Sequence, residues 1–202
     1  MIEPGDSAFD ENNFELVVKE GQMPDRINLT TMYHRHRALT EAVAGSYQEA
    51  ASVCLHRHHS SPISITVSDN GSTTIAECCW TAPNTRTLAA WANTTDATEA
   101  GAYACVIAGV EYMRGLFAVR RAETGTGADY YIGPTGSGED DLEDCLRLEI
   151  SGVDAGNQDD IVRRLKAKMA QAQRGTSSLP ALAGVVGFAA KLLMLSDVPE
   201  EM

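Results

Sequence analysis

The chain has 202 residues, of which 44% are hydrophobic, and its 16 basic and 28 acidic residues give a formal net charge of −12. This length and composition are typical of one globular domain that buries its core without metals or disulfides. The acidic balance disfavours nucleic acid as a partner, because tight phosphate binding depends on Lys and Arg, but a local basic groove or a metal reverses the local field, so nucleic acid is not excluded.

The N-terminal residues are polar, acidic and poorly periodic, and we expect residues 1–30 to form a flexible or loosely packed segment. They contain no apolar core of the kind found in a signal peptide. The longest apolar stretch, Leu182 to Leu195, is too short and too mixed to span a membrane. The five cysteines form no CxxC pair, so we expect free thiols in a cytoplasmic protein without membrane association.

The first predicted elements are a helix and a β-hairpin. Residues 31–57 contain good helix formers with apolar side chains at helical spacing. Ile63, Ile65 and Val67 then alternate with polar residues, and the turn at residues 69–71 leads to a return strand at residues 74–80.

After a connection at residues 83–94, the pattern predicts a helix, three strands, a second helix and a last strand. The first helix is expected to begin after Asp96, with Glu99 as its capping-box partner. The predicted bounds are 97–113 for this helix, 116–122, 128–132 and 145–151 for the strands, 159–173 for the second helix and 181–188 for the last strand. We therefore predict an α/β fold, with α+β as the alternative, in which helices flank a mixed central sheet. Residues 31–202 are expected to form one domain.

Two acidic residues lie where acids are unusual. In the strand at residues 145–151, Arg147, Glu149 and Ser151 share one face, which is unfavourable in a central strand unless these side chains are paired or used. Asp129 lies in a short apolar strand, where Asp is disfavoured. Two carboxylates on neighbouring strands can hold Mg²⁺, which activates water and offsets phosphate charge.

The alternative interpretation of these acids is structural. Asp129 then lies at a strand edge, and Glu149 pairs with Arg147 or Arg120. A metal between Asp129 and Glu149, with a basic side chain within reach, would favour an enzyme, whereas Arg147 or Arg120 bridging both carboxylates would favour a scaffold.

The predicted order, with an acid on the second strand and Glu-x-Lys or a substitute on the third, resembles the core of the PD-(D/E)XK restriction-endonuclease-like superfamily. The resemblance covers residues 96–188 and implies a restriction-endonuclease-like core preceded by a helix and a hairpin. It implies a metal-dependent nuclease that cleaves nucleic-acid phosphodiesters, with Asp129 and Glu149 as Mg²⁺ ligands and Glu99 or Glu111 as the acid on the first helix. Glu111 is the stronger candidate, because an anion near a helix C-terminus needs a partner or a function. By analogy with the superfamily, bacterial genome defence is the implied setting.

The sequence departs from the superfamily motif at the lysine position, which Ser151 occupies. The superfamily can supply this lysine from the following helix, where Lys168 lies nearest the edge of the apolar face. We therefore expect Ser151 or Lys168 to orient water at the Asp129 and Glu149 site. The alternative function is a catalytically degenerate nuclease-fold subunit that acts as an adaptor in a complex, which the acidic charge favours. In either case we expect a protein partner or a homo-oligomer.

Two further patterns have structural interpretations that we favour. The glycine-rich residues 133–140 differ from a phosphate-binding loop because Glu139 occupies its lysine position, which predicts an exposed acidic connection. His56, His58 and His59 lie near Cys54, but a zinc site would need a second ligand pair, so we favour a helix C-terminus, where these basic residues interact favourably with the helix dipole.

Overall fold

A computed structural model describes residues 26–137 and 142–199. The described residues form eight strands, four α-helices and one 3-10 turn, which confirms the predicted mixed α/β fold. In chain order these are β1 (Arg26–Ile27), the 3-10 turn (Met32–His34), α1 (Glu41–His58), β2 (Ile63–Asp69), β3 (Ser72–Cys78), α2 (Thr85–Ala90), α3 (Thr94–Arg114), β4 (Phe117–Arg121), β5 (Tyr130–Gly133), β6 (Leu146–Val153), α4 (Gln158–Gln173), β7 (Ala181–Gly187) and β8 (Leu192–Val198).

The described strands form one sheet in the order β1-β3-β2-β8-β7-β6-β5-β4. Three pairs are parallel, namely β1 with β3, β2 with β8, and β6 with β7, and the other pairs are antiparallel. The segment from α3 to β7 has the predicted order of helix, three strands, helix and strand. Because β6 and β7 are parallel, α4 is the crossover between them.

Helices cover both faces of the sheet. On one face, α1 and α3 pack against each other and against a core that contains Leu148, Leu182 and Leu193. On the other face, α4 packs through Ile161 and Leu165 onto β7 and β8. The central strand β7 is buried along its whole length, which explains its continuous apolar and glycine sequence.

The structure corrects several predicted boundaries. The first helix begins at Glu41 with Thr40 as its N-cap, and the residues at 32–34 form the separate 3-10 turn. The predicted connection at residues 83–94 contains α2, which Asn84 caps. The apolar run after residue 181 contains two strands, because the chain reverses at Lys191 (φ 51°) and returns as β8.

The N-terminus of α3 also differs from the prediction. Asn93 is the N-cap, and its side chain accepts hydrogen bonds from the backbone amides of Thr95 and Asp96. The predicted capping box of Asp96 and Glu99 is therefore wrong, because Asp96 lies inside the first turn. The helix ends at Gly115, which adopts φ 62° after the last turn.

The predicted loose segment at residues 1–30 lies mostly outside the described residues, which begin at Arg26. Its last residues are not loose, because Ile27 pairs with Cys78 of β3 and both Ile27 and Leu29 are buried in the core. Part of the glycine-rich and acidic connection, residues 138–141, also lies outside the described residues. In the part of the chain that the structure describes, no helix has both the length and the apolar character to cross a membrane.

Candidate functional site

The site lies where β5 begins and β6 continues past it. Tyr130, the first residue of β5, pairs with Leu148 of β6. The sequence predicts Asp129 within a strand, but Asp129 lies one residue before β5. Its backbone amide donates to the Leu148 carbonyl at 2.8 Å, and its Oδ2 accepts from the Ile150 amide at 2.8 Å. The Asp129 carboxylate therefore takes the place of a backbone carbonyl before β5 and accepts from the next amide of β6, which fixes its position.

Glu149 lies on the face of β6 that α4 covers, and its side chain is only 3% exposed. The Lys168 ammonium of α4 donates to Glu149 Oε1 at 2.6 Å and to Gln171 Oε1 at 3.2 Å. Burial raises the pKa of Glu149 above its ordinary value, and the hydrogen bond from Lys168 opposes that increase. Lys168, which the sequence predicts to orient water at the site, therefore lies in direct contact with Glu149.

The arginines that sequence analysis considered as partners of Glu149 lie elsewhere. Arg147 is buried and donates to the carbonyls of Thr126, Ala172 and Leu179. Arg120 pairs with Glu123 on the surface. Pairing of Glu149 with either arginine is therefore wrong.

A tyrosine and an arginine that the sequence did not single out complete the surroundings of Asp129. The Tyr103 hydroxyl of α3 donates to Asp129 Oδ1 at 2.8 Å and accepts from Arg121 Nη2 at 3.1 Å. The Arg121 guanidinium lies 4.7 Å from the ring centroids of Tyr103 and Tyr130, and 3.8 Å from Asp129 Oδ1. Burial and the Asp129 charge raise the pKa of Tyr103, so its hydroxyl keeps the proton that it donates. The spacing of Tyr103 in the helix indicated only an apolar face.

Glu111 does not join the other two acids. Its Oε1 accepts from Arg35 at 2.6 Å, and its Oε2 bonds to His36 Nε2 at 2.9 Å. His36 is fully buried, and its Nδ1 accepts from the Ala118 amide, so Nε2 carries the proton. Burial alone would raise the pKa of Glu111, but the hydrogen bonds from His36 and Arg35 lower it overall.

The expected role of Glu111 as a metal ligand is not met, because Glu111 lies at the opposite end of α3 from the site. Glu111 follows Tyr103 by eight residues, which is about 12 Å along the helix axis. The bonds of Glu111 to Arg35 and His36 account for a carboxylate near the C-terminus of α3. Glu99, the other candidate on α3, lies at the wall of the cleft that contains Asp129 and Glu149.

Two clefts meet at the pair of carboxylates. The first, of about 630 Å³, lies between the N-terminal half of α3 and α4, and Ser151, Arg164 and Lys168 line it. The second, of about 400 Å³, lies beside the turn at residues 125–127. Asp129, Glu149 and Gln171 line both clefts. The structure thus brings the predicted residues Asp129, Glu149, Ser151 and Lys168 to one place.

The two carboxylates that line both clefts already accept hydrogen bonds: Asp129 Oδ1 from Tyr103, Asp129 Oδ2 from the Ile150 amide, and Glu149 Oε1 from Lys168. Among the described residues, no three His, Cys, Asp or Glu side chains form a group that could hold a metal. Mg²⁺ in phosphate-processing sites is usually bound by one or two carboxylates, with water and substrate phosphates as the other ligands. Asp129 and Glu149 are two carboxylates that line the same clefts.

The histidines at the end of α1 have structural roles. His56, Arg57 and His58 occupy the last turn of the helix, as expected for basic residues at a helix C-terminus. His58 bonds to Asp154 at 3.1 Å, and His59 Nε2 donates to the Phe188 carbonyl at 2.9 Å. These bonds attach the end of α1 to the β6–α4 connection and to the end of β7.

Comparison with protein-family models, with curated proteins and with solved structures finds no match for this chain. The resemblance to the PD-(D/E)XK superfamily therefore stays a hypothesis. What the structure adds is the order of elements from α3 to β7 and the convergence of an acid before β5, an acid on β6 and a lysine from α4.

Proposed function

We propose that this protein is a metal-dependent phosphodiesterase of the PD-(D/E)XK type that cleaves nucleic acid. The observation that carries the proposal is the 2.6 Å contact between Lys168 and Glu149. It means that α4 supplies a cation to the site in which Ser151 replaces the motif lysine. The order of elements from α3 to β7 supports the same assignment.

Asp129 and Glu149 are the residues that would hold Mg²⁺. When bound, the cation would activate water and offset the negative charge of the phosphate. The Ile150 amide and the Tyr103 hydroxyl orient Asp129 for this role. Burial makes the charged form of Glu149 dependent on a nearby cation, and Lys168 supplies that charge in the absence of a metal.

Lys168 is the group that would contact the reacting phosphate. Its ammonium is partly exposed in the first cleft, where it can donate hydrogen bonds to a phosphate oxygen or to the attacking water. The Ser151 hydroxyl lines the same cleft and is a second donor that can orient water.

The alternative proposal is a catalytically degenerate subunit that keeps the fold and acts as an adaptor in a complex. The serine at position 151, where the motif has lysine, favours it. The net charge of −12 also favours it. Its partner would be another protein chain or a second copy.

A cytoplasmic location is part of the proposal. No disulfide joins the cysteines of the described residues, as expected for a reducing compartment. Burial raises the pKa of Cys54 to about 11 and that of Cys78 to about 12, so these thiols stay protonated in the core. A role in bacterial genome defence is proposed only by analogy with the superfamily.

Cleavage assays on DNA and RNA with Mg²⁺ or Mn²⁺ test the enzyme against the adaptor. We expect Asp129→Asn, Glu149→Gln and Lys168→Met each to lower the cleavage rate by about 100-fold or more. Lys166→Met and Asp159→Asn are matched controls, since both residues are exposed on α4. A wild-type protein that cleaves nothing, or variants as active as the wild type, would contradict the enzyme.

A further inference from the structure

Asp129 and Glu149 line both clefts, so a ligand bound beside the acids can extend into either cleft. The second cleft is the concavity lined by Arg121, Arg174 and the turn at residues 125–127. Neither arginine has a role in the proposed reaction. The two arginines come from different elements, since Arg121 ends β4 and Arg174 follows the last turn of α4.

A polar stripe on α4 connects the two clefts. Arg164, Lys168, Gln171 and Arg174 are separated by four, three and three residues, so they share one side of the helix. Arg164 lines the first cleft, Gln171 lines both, and Arg174 lines the second. The stripe covers ten residue steps, or about 15 Å.

The acids of the second cleft are already paired, which leaves Arg174 as an uncompensated cation. Glu149 bonds to Lys168, Glu123 pairs with Arg120, and Asp129 lies 3.8 Å from Arg121. Within the described part of the chain, the side chains of Arg164 and Arg174 form no salt bridge or hydrogen bond.

Arg121 is held as a flat cation. It packs on the rings of Tyr103 and Tyr130, and Nη2 donates to the Tyr103 hydroxyl. Half of its side chain remains exposed, and it lines the second cleft. A planar guanidinium fixed in this way binds phosphate and stacks on an unpaired base. A base stacked inside a duplex does not expose its ring face to such an arginine.

We infer that the second cleft is a subsite for a single-stranded nucleic acid, in which Arg121 and Arg174 bind the phosphate and base next to the scissile bond. The strand would follow the stripe on α4 from Arg164 past Lys168 to Arg174. The position of the scissile bond rests on the proposed function, but the affinity of the subsite for a strand does not.

Fluorescence anisotropy with a labelled single-stranded oligothymidylate, in EDTA and at low salt, tests the subsite. We expect Arg174→Ala to weaken binding about five- to tenfold, because one contact with a phosphate is lost. The slope of log K against log salt should fall by about 0.7. Arg121→Leu should also weaken binding, whereas Lys166→Ala, on the same helix, should bind as the wild type does.

The outcomes separate the subsite from the enzyme. Wild-type protein that does not bind the oligothymidylate, or Arg174→Ala and Arg121→Leu variants that bind it with unchanged affinity, would overturn the subsite even if cleavage is observed. Arginine-dependent binding without any cleavage in Mg²⁺ or Mn²⁺ would support the subsite and contradict the nuclease. Tighter binding to a duplex of the same length would overturn the assignment to single strands.

Discussion

The polar face of β6 is stable because each of its long polar side chains has a specific partner. Arg147 satisfies three backbone carbonyls, and Glu149 is neutralised by Lys168. Burial of either charge without these partners would be strongly unfavourable. The bonds of Arg147 also attach the turn at residues 125–127 to the end of α4, so this arginine shapes the second cleft without touching a carboxylate.

Replacement of Lys168 by Met should therefore destabilise the protein in a pH-dependent way. A carboxyl whose pKa is raised by folding contributes stability below its unfolded pKa, near 4.5, and loses it as the pH rises through the folded pKa. Without Lys168 the folded pKa of Glu149 rises further, so the loss is larger and extends to higher pH. We expect a loss of about 1–3 kcal/mol in the free energy of unfolding at neutral pH, and less near pH 4.5.

Urea unfolding of the wild type and of Lys168→Met across this pH range measures the effect. Lys166→Met is the control, because Lys166 is exposed on the same helix and its replacement should not depend on pH in this way. An equal loss for Lys168→Met at every pH would show that Lys168 acts through packing alone.

At the scale of elements, the pattern of apolar residues predicted the segment from α3 to β7 and the hairpin of β2 and β3. It did not predict α2 or β8. The helix α2 has only six residues, too few for a helical spacing of apolar residues to distinguish it from a loop. The strand β8 was missed because both sides of the turn at Lys191 are apolar, so no change of composition marks the reversal. The cap of α3 was assigned to Asp96 because Asn93 and Asp96 are both good caps and only the backbone decides between them.

The candidate site was predictable only where side chains on one strand or helix face carried the signal. The alternation in β6 identified Glu149, and helical spacing identified Lys168. The contact of Asp129 with Tyr103 joins α3 to the start of β5, and its contact with Arg121 crosses the β4–β5 connection; neither follows from the apolar pattern of a single element. For the same reason the sequence could not separate Glu111 from the other acids.

The first cleft depends on close packing between α3 and β6 at Gly152. A Cβ atom at this position would lie 2.8 Å from the Thr98 carbonyl and 3.1 Å from the Ala102 Cβ. Both neighbours belong to α3, so Gly152→Ala should push the helix away from the strand. We expect a loss of about 1–3 kcal/mol, measured by chemical denaturation.

Gly45→Ala in α1 is the matched control for this prediction, because a Cβ there meets no atom within 4 Å. Replacement of this helical glycine should stabilise the protein by about 0.5–1 kcal/mol. Gly152→Ala with the stability of the wild type would show that α3 and β6 adjust to one another, and that the cleft wall is not fixed by this contact.

At the scale of the whole molecule, the last strand joins two parts of the sheet that are distant in sequence. On one side β8 pairs with β2 of the hairpin, and on the other it pairs with β7. Leu193 of β8 is fully buried and packs against α3 at Gly109. The hairpin therefore shares its core with the segment that carries the site, which argues for one cooperative unit over the described residues, 26–137 and 142–199.

This arrangement predicts a single unfolding transition. Tryptophan fluorescence reports the hairpin side, because Trp80 follows β3 and Trp91 follows α2, whereas far-UV circular dichroism reports all helices. Both signals should give one midpoint, and Leu193→Ala should shift both equally, with a loss of about 2–5 kcal/mol. Leu88→Ala, at an exposed site on α2, should have little effect. Two separate midpoints would mean that the hairpin folds independently of the site, and that β8 joins two domains.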